Sequence, residues 1–316
     1  MLLDTPGLYF RAFYGVPRSV TAPDGMPVGA VRGLLDVLAG QLLQVRPRYL
    51  VACFDADWRP AFRVALVPSY KAHRVALPAG AGTDAGTDAG GPPPAGLPEA
   101  VPAELAAQLP VIDAMLDAFG IARAQADGFE ADDVIGTLAA RHGGEVDILT
   151  GDRDLFQLVR DDVGIRVRYA VERFAVVDEQ AVAARYGIPG RAYGDFAVLR
   201  GDPSDGLPGV AGIGAKTAAA LLRRFGSLEG VLAALDAGVE EGFPAGSRAR
   251  LAAARDYLTA AAAVVRVVCD VPLGPLEADV PAAPADPAAV RRLAERYGLT
   301  GAAGRLTRAL AAVAGG

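Results

Sequence analysis

Acidic residues are the part of this chain whose placement could do chemistry. Asp4, Asp55 and Asp152 each follow a short apolar run: Leu2-Leu3, then Leu50-Val51-Ala52-Cys53-Phe54, then the run from Val146 to Gly151. Glu130, Asp132 and Asp133 stand together in Gly128-Phe129-Glu130-Ala131-Asp132-Asp133. Asp154 lies two residues beyond Asp152, and Asp202 and Asp205 share Gly201-Asp202-Pro203-Ser204-Asp205-Gly206. Taken singly, each group has an ordinary explanation. Acids in a first helical turn are favoured by the helix dipole, and Asp-Pro-Ser-Asp-Gly is a turn sequence. Brought together, they would repel and take up protons unless a divalent cation compensated them. A set of oxygen ligands suits magnesium. His73 and His142 are the only histidines, and Cys53 and Cys269 the only cysteines, so thiolate or imidazole metals fit less well. The chemistry that uses such a cluster is phosphodiester hydrolysis. Two magnesium ions about 4 Å apart can activate the attacking water and stabilise the departing alkoxide. The histidine count nearly excludes a histidine-pair mechanism.

Something must carry these acids to one place. The runs before Asp55 and Asp152 read as buried strands, with a shorter strand before Asp4. Between them, Val28–Gln44 sets Val31, Leu34, Leu35, Leu38 and Leu42 on one helical face. Leu105–Phe119 does the same with Leu109, Ile112, Met115, Leu116 and Phe119. Strands alternating with helices predict an α/β domain with a mainly parallel central sheet flanked by helices. Ligands of such sheets sit beyond the strands' carboxyl ends, which is where the three aspartates would lie. Glu130 and Asp133, three apart, share one face of the helix they open, and Asp132 points away from both.

After residue 177 the pattern turns almost wholly helical. Helices are expected over Asp178–Tyr186, Ala192–Leu199, Ala215–Phe225, Ser227–Leu235 and Gly246–Ala263, a strand over Val264–Leu273, and helix again from Pro287. The expected divisions are 1–177, 178–275 and 276–316. Between Leu77 and Glu104 the tandem Ala-Gly-Thr-Asp repeat of Ala81–Gly90, then Gly91 and Pro92-Pro93-Pro94, can fill no core, so a mobile loop or linker is expected.

Hydrophobic residues make up 52% of the 316 and charged residues 22%, with mean hydropathy +0.27, enough to bury a core. No apolar run is long enough to span a bilayer, and no leader pattern opens the chain. Two isolated cysteines read as reduced core residues. Together these point to a cytoplasmic protein with no membrane partner. The formal charge of −6 argues against a phosphate partner only until the nine clustered acids are set aside. That leaves 31 basic against 28 acidic residues, and local distribution decides.

Five motifs in order now match a family. Asp4, Phe54-Asp55, Gly128 to Asp133, Thr150-Gly151-Asp152-Arg153-Asp154-Leu155 and Gly201 to Asp205 resemble the 5′-nucleases, which include flap endonucleases and the N-terminal domain of bacterial DNA polymerase I. The resemblance runs from Asp4 to about Leu222. It implies a PIN-like nuclease domain and a helical subdomain carrying a helix-three-turn-helix at about 201–226. It implies that Asp4, Asp55, Glu130 and Asp132, with Asp133 close by, hold one Mg2+, and that Asp152, Asp154, Asp202 and Asp205 hold or orient a second, Mn2+ being an alternative metal. Phe62-Arg63 and Tyr70-Lys71-Ala72-His73-Arg74 are similar to the entry of the family's helical arch, here about 70–104. Lys71 and Arg74 would contact the scissile phosphate, Tyr70 would stack on a base, and Arg63 would serve DNA binding. Gly209, Gly212, Gly214, Lys216 and Thr217 resemble the loop that grips a duplex backbone, where the family also binds K+. The implied substrates are 5′-flap, nicked or branched DNA, with RNA primers as a further candidate, handled by a monomer. With no polymerase domain following, the stand-alone exonuclease is the form expected.

Composition adds independent support, because Lys71 and Lys216 are the only lysines and both fall where phosphate contact is proposed. Two departures stand out. Gly206 occupies a position where many relatives carry asparagine, and no basic residue occurs from Val75 to Ala122. A PIN-like ribonuclease shares the acids but lacks the glycine loop. A junction-binding protein that does not cut would have broken ligands, and all nine acids are present.

Overall fold

A computed structural model of the chain describes residues 1–76 and 91–315; the tandem repeat at Ala81–Gly90 lies outside the described residues. Six strands form one sheet: β1 (Leu2–Asp4), β2 (Val51–Cys53), β3 (Ala122–Ala124), β4 (Val146–Thr150), β5 (Ile165–Tyr169) and β6 (Ala175–Val177). Their order is β3-β2-β1-β4-β5-β6. All pairs are parallel except β5–β6. The strand order therefore reverses about β1, and the crevice of an open parallel sheet lies beyond the carboxyl ends at that point. Asp4 ends β1, Asp55 follows β2 by two residues, and Asp152 follows β4 by two.

Helices cover both faces. In chain order they are α1 (Thr5–Gly15), α2 (Gly29–Val45), α3 (Ala61–Leu66), α4 (Ala103–Ala106), α5 (Leu109–Phe119), α6 (Ala131–His142), α7 (Glu179–Tyr186), α8 (Tyr193–Arg200), α9 (Ala215–Phe225), α10 (Leu228–Asp236), α11 (Ser247–Ala253), α12 (Arg255–Val265), α13 (Pro287–Arg296) and α14 (Thr300–Ala314). Alternation along the strands separates two cores. Leu3, Ala52 and Leu149 face α2, α5 and α14. Leu2, Val51, Cys53 and Ile148 face α6, and that core continues without a break into α8, α9 and α12. The helical subdomain is thus bonded to the sheet through one continuous apolar layer, and the C-terminal helices close the opposite face. No helix among the described residues is long and apolar enough to cross a membrane.

Four expectations change. The helix expected over Leu105–Phe119 is two, because Pro110 lacks an N–H and would clash with the turn before it, so the chain restarts with Pro110 in the first turn of α5. The helix expected over Gly246–Ala263 breaks at Ala254, whose amide is shared between the carbonyls of Arg250 and Leu251. Val264–Leu273 forms no strand: Val264 and Val265 end α12, and beyond them side chains of α6 replace a ladder. Asp133 accepts from Val268 N–H at 2.8 Å, and Thr137 accepts from Val271 N–H at 3.1 Å. Cys53 is buried, but Cys269 is exposed on this same segment.

Candidate active site

Asp4 is fixed by its own helix. It caps α1, accepting from Gly7 N–H at 2.9 Å, and also accepts a hydrogen bond from the Thr150 hydroxyl at 2.6 Å. A Cβ on Gly7 would come within 2.1 Å of the Asp4 carboxylate, so only glycine allows this approach. Asp55 accepts from Ala131 N–H at 2.7 Å, which ties the end of β2 to the start of α6. Asp132 projects from the first turn of α6 and has no hydrogen-bond donor among the described residues. With Glu130 and Asp152, these acids line one cavity of about 430 Å3, and Lys71 and Arg74 form part of its wall.

The carboxyls raise one another's proton affinity. Burial and then Glu130 push Asp55 up to about 7, against the pull of Lys71. Burial, then Asp152 and Asp4, hold Asp132 well above the usual carboxylate range. Burial, then Asp152, Asp205 and Asp202, do the same to Asp154. Burial, opposed by Lys71 and reinforced by Asp152, lifts Asp205 to about 6. Glu130 is the exception: Lys71 and Arg63 overcome its burial and keep it below its ordinary value. Among the described residues, no three acidic, histidine or cysteine side chains close on a common point at metal-ligand spacing. The donor set nevertheless fits hard divalent cations, since the cavity offers carboxylate oxygen without imidazole or thiolate and carries uncompensated acid charge.

Not every expected residue joins the cavity. Asp133 is fully buried on the other side of the helix start. Its carboxylate accepts two bonds from Arg63 at 2.7 and 2.9 Å, plus the amides of Glu130 and Val268. It is therefore spent on structure, not poised as a ligand. Arg63 is 3% exposed and holds Glu130, Asp133 and the Val264 carbonyl, so it faces no DNA. Tyr70, 4% exposed, donates its hydroxyl to Glu130 at 2.8 Å and has no open ring face for a base. Asp202 is buried in its turn, accepting from Ser204 N–H and Arg200. Asp154 and Asp205 lie close enough to Asp152 to feel its charge, beside rather than within the cavity lining. Breaking the Arg63 pair should be costly. Arg63→Met leaves Asp133 buried without its counter-ion and should lower folding stability by about 3–5 kcal/mol. Chemical denaturation measures this, and a loss below about 1 kcal/mol would remove Arg63 from that role.

Lys71 has a left-handed backbone, φ 47°, and its ammonium lies on Glu130. The turn of Asp202–Gly206 holds it there. Lys71 N–H donates to the Asp205 carbonyl at 3.0 Å, and the Ser69 hydroxyl to the Gly206 carbonyl at 2.8 Å. A Cβ on Gly206 would meet the Ser69 carbonyl at 2.2 Å, so the glycine noted as a departure is what lets this turn dock. Arg74 pairs with Glu99. Arg11, on α1, and Arg153 also line the cavity, without an ion-pair partner among the described residues. Sequence reasoning passed over both. Arg153 sat inside a quoted motif, and Arg11 would have needed α1, which was not foreseen.

The glycine loop precedes α9. Gly209 N–H donates to the Tyr257 hydroxyl at 3.0 Å, Gly214 caps α9, and Lys216 is exposed in its first turn with Thr217 half-buried beside it. The Gly212 carbonyl accepts from Arg250 at 3.0 Å, so a guanidinium already serves one oxygen of the loop.

Comparison with known proteins agrees with this geometry. Residues 1–187 match the 5′-3′ exonuclease N-terminal resolvase-like domain, and 188–288 the 5′-3′ exonuclease C-terminal SAM fold. The chain is 54% identical to a 5′-3′ exonuclease of Streptomyces coelicolor, over 99% of this chain and all of that protein. It is 37% identical to DNA polymerase I of Mycobacterium tuberculosis, over 75% of this chain and 24% of the polymerase. Its fold is similar to that of the bacteriophage T5 D15 flap endonuclease, solved as a pseudo-enzyme-product complex with DNA and metal ions, with TM-score 0.59, 15% identity and coverage of 100% and 99%. Matches running from Met1 to residue 288, laid over a sheet that gathers its acids at one edge, make this chain a member of the 5′-3′ exonuclease family and a hydrolytic nuclease.

Proposed function

We propose that the chain is a structure-specific 5′-nuclease acting on 5′-flap, nicked or branched DNA in replication and repair. The observation that carries this is the single cavity lined by Asp4, Asp55, Glu130, Asp132 and Asp152 with Lys71 and Arg74 in its wall. Asp4, Asp55, Glu130 and Asp132 would hold one divalent cation, while Asp152, Asp154 and Asp205, braced by Asp202, would hold the second. Asp133, Arg63 and Tyr70 orient Glu130 from behind. Bound there, the two cations would acidify a water and stabilise the phosphate oxygens and the leaving alkoxide. Lys71 and Arg74 would bind the scissile phosphate from the cavity's basic wall. The loop of Gly209, Gly212 and Gly214 with Lys216 and Thr217 would grip the duplex backbone through amides and charge.

Magnesium is our choice over manganese, on the hard oxygen donor set. Potassium at the glycine loop would compete with Arg250 for the Gly212 carbonyl. We take the working unit to be a cytoplasmic monomer of three parts, 1–177, 178–275 and 276–316, with RNA primers as a secondary substrate. Labelled flap, nicked and single-stranded substrates, each with magnesium and with chelator, test the proposal. Magnesium-dependent release of short 5′ products is expected; no cleavage with either divalent metal would overturn it. Lys216→Ala should weaken duplex binding and reduce its salt slope by about 0.9, with single-turnover cleavage at saturation unchanged. Equal affinity in a salt titration would take Lys216 off the duplex.

A further inference from the structure

Arg59 is among the largest fully buried side chains, 1% exposed, yet no carboxylate lies within ion-pair distance among the described residues. Four main-chain carbonyls take its protons instead. Nε donates to Tyr70 O at 2.6 Å, Nη2 to Pro68 O at 2.9 Å, and Nη1 to Pro93 O and Pro94 O at 2.8 Å each. Burying a charge against neutral acceptors is expensive, so a simple tie would hardly need it. The planar guanidinium, however, holds five N–H donors in a fixed fork and can serve four carbonyls on two chain segments at once, more than the three donors of an ammonium or the two of a neutral amide can supply.

The two segments carry residues of the cavity wall, Lys71 and Arg74 on one and Glu99 on the other. One runs from Pro68 through Lys71 to Ala76, the other from Pro93 to Ala100. Two further bonds zip them together, Ala76 N–H to Pro98 O at 2.9 Å and Ala100 N–H to Arg74 O at 2.8 Å, and Trp58 Nε1–H, next to Arg59, holds the second segment through Leu97 O at 3.0 Å. Prolines suit the receiving segment, since they supply carbonyls while their fixed φ limits the entropy lost. The Pro92-Pro93-Pro94 stretch is in this way an anchored limb, where a loose linker was expected. Lys71 directly follows the carbonyl that Arg59 grips hardest, and its left-handed backbone persists only under external support.

We propose that Arg59 is a positioning residue: by clamping both limbs it sets the placement of Lys71 and Arg74 at the scissile phosphate, and so governs the cleavage step and not duplex or cation binding. The proposal rests on the nuclease reading above, so the wild-type protein is run in the same assay. A wild type that does not cut overturns that reading, whereas a variant that cuts normally beside an active wild type overturns only this one.

The test compares Arg59→Lys and Arg59→Gln with wild type in single-turnover cleavage of a labelled 5′-flap substrate. Flap affinity is measured separately, in calcium to block turnover. Cleavage slower by about 10- to 100-fold, with affinity within about twofold, is expected. An unchanged rate overturns the proposal, and so does an affinity loss as large as the rate loss, which a merely structural role would give. Should both variants fail to fold, Trp58→Phe decides. It removes the bond to Leu97 O while keeping an aromatic ring for the Arg74 guanidinium that lies over it, and should slow cleavage about threefold at unchanged affinity; an unchanged rate there also overturns the clamp.

Discussion

Asp132→Asn should lower single-turnover cleavage by about three orders of magnitude while leaving duplex binding intact and the fold at least as stable as before. The two halves of this result have one cause. Asp132 is the acid in the cavity with no hydrogen-bond donor among the described residues, so its carboxylate contributes nothing to local structure that asparagine would forfeit. Burial, Asp152 and Asp4 all disfavour its charge, so the neutral isostere relieves repulsion in the folded protein. The same charge is what would hold a divalent cation. Losing several kcal/mol of charge stabilisation in the transition state corresponds to roughly 10³ in rate. The expected pattern is a thermal midpoint equal to or above wild type alongside near-complete loss of cleavage. Cleavage within about tenfold of wild type would show that Asp132 is no essential ligand of a cation. A lowered midpoint would show that the acid serves the fold after all.

What the sequence made legible follows the same division between local and distant causes. Asp4, Asp55 and Asp152 could be placed because an apolar run ending in an acid is a local pattern, and neighbouring parallel strands put such ends side by side. The helix start at Glu130 and the face it shares with Asp133 were legible for the same reason, but Asp132, expected to point away from both, lines the cavity together with Glu130. What that shared face met was not legible. Arg63 and Tyr70 look like surface residues in a stretch alternating apolar and basic, and their partners lie 60 to 70 positions away. Only the tertiary fold turns them inward. The strands β3 and β6, three residues each, carry too little pattern to be told from loop. The helix after Asp4 was hidden by Pro6 and Gly7, which lie in its first turn, where Gly7 donates to the Asp4 cap and leaves room for that carboxylate. Arg59 was silent in sequence because its acceptors are carbonyls, which every residue has.

Lys71→Ala should separate catalysis from binding, and it should also change how the protein responds to magnesium. Lys71 is expected to meet the scissile phosphate, yet in the structure its ammonium lies on Glu130, which also takes Arg63 and Tyr70. Lysine and cation would then compete for one carboxylate. Removing the lysine takes a positive charge from the phosphate, so cleavage should fall by about 10²- to 10³-fold, as for loss of a single transition-state donor. Duplex affinity should hardly change, because the duplex is gripped at the glycine loop. Glu130 is left with less compensation in the variant, so the fold loses stability in chelator and regains it when a divalent cation binds the native state alone. Magnesium should therefore raise the thermal midpoint of Lys71→Ala by more than it raises that of wild type. Unchanged cleavage would take Lys71 out of the reaction. An equal magnesium shift in the two proteins, with cleavage lost, would keep it at the phosphate but dismiss the competition at Glu130.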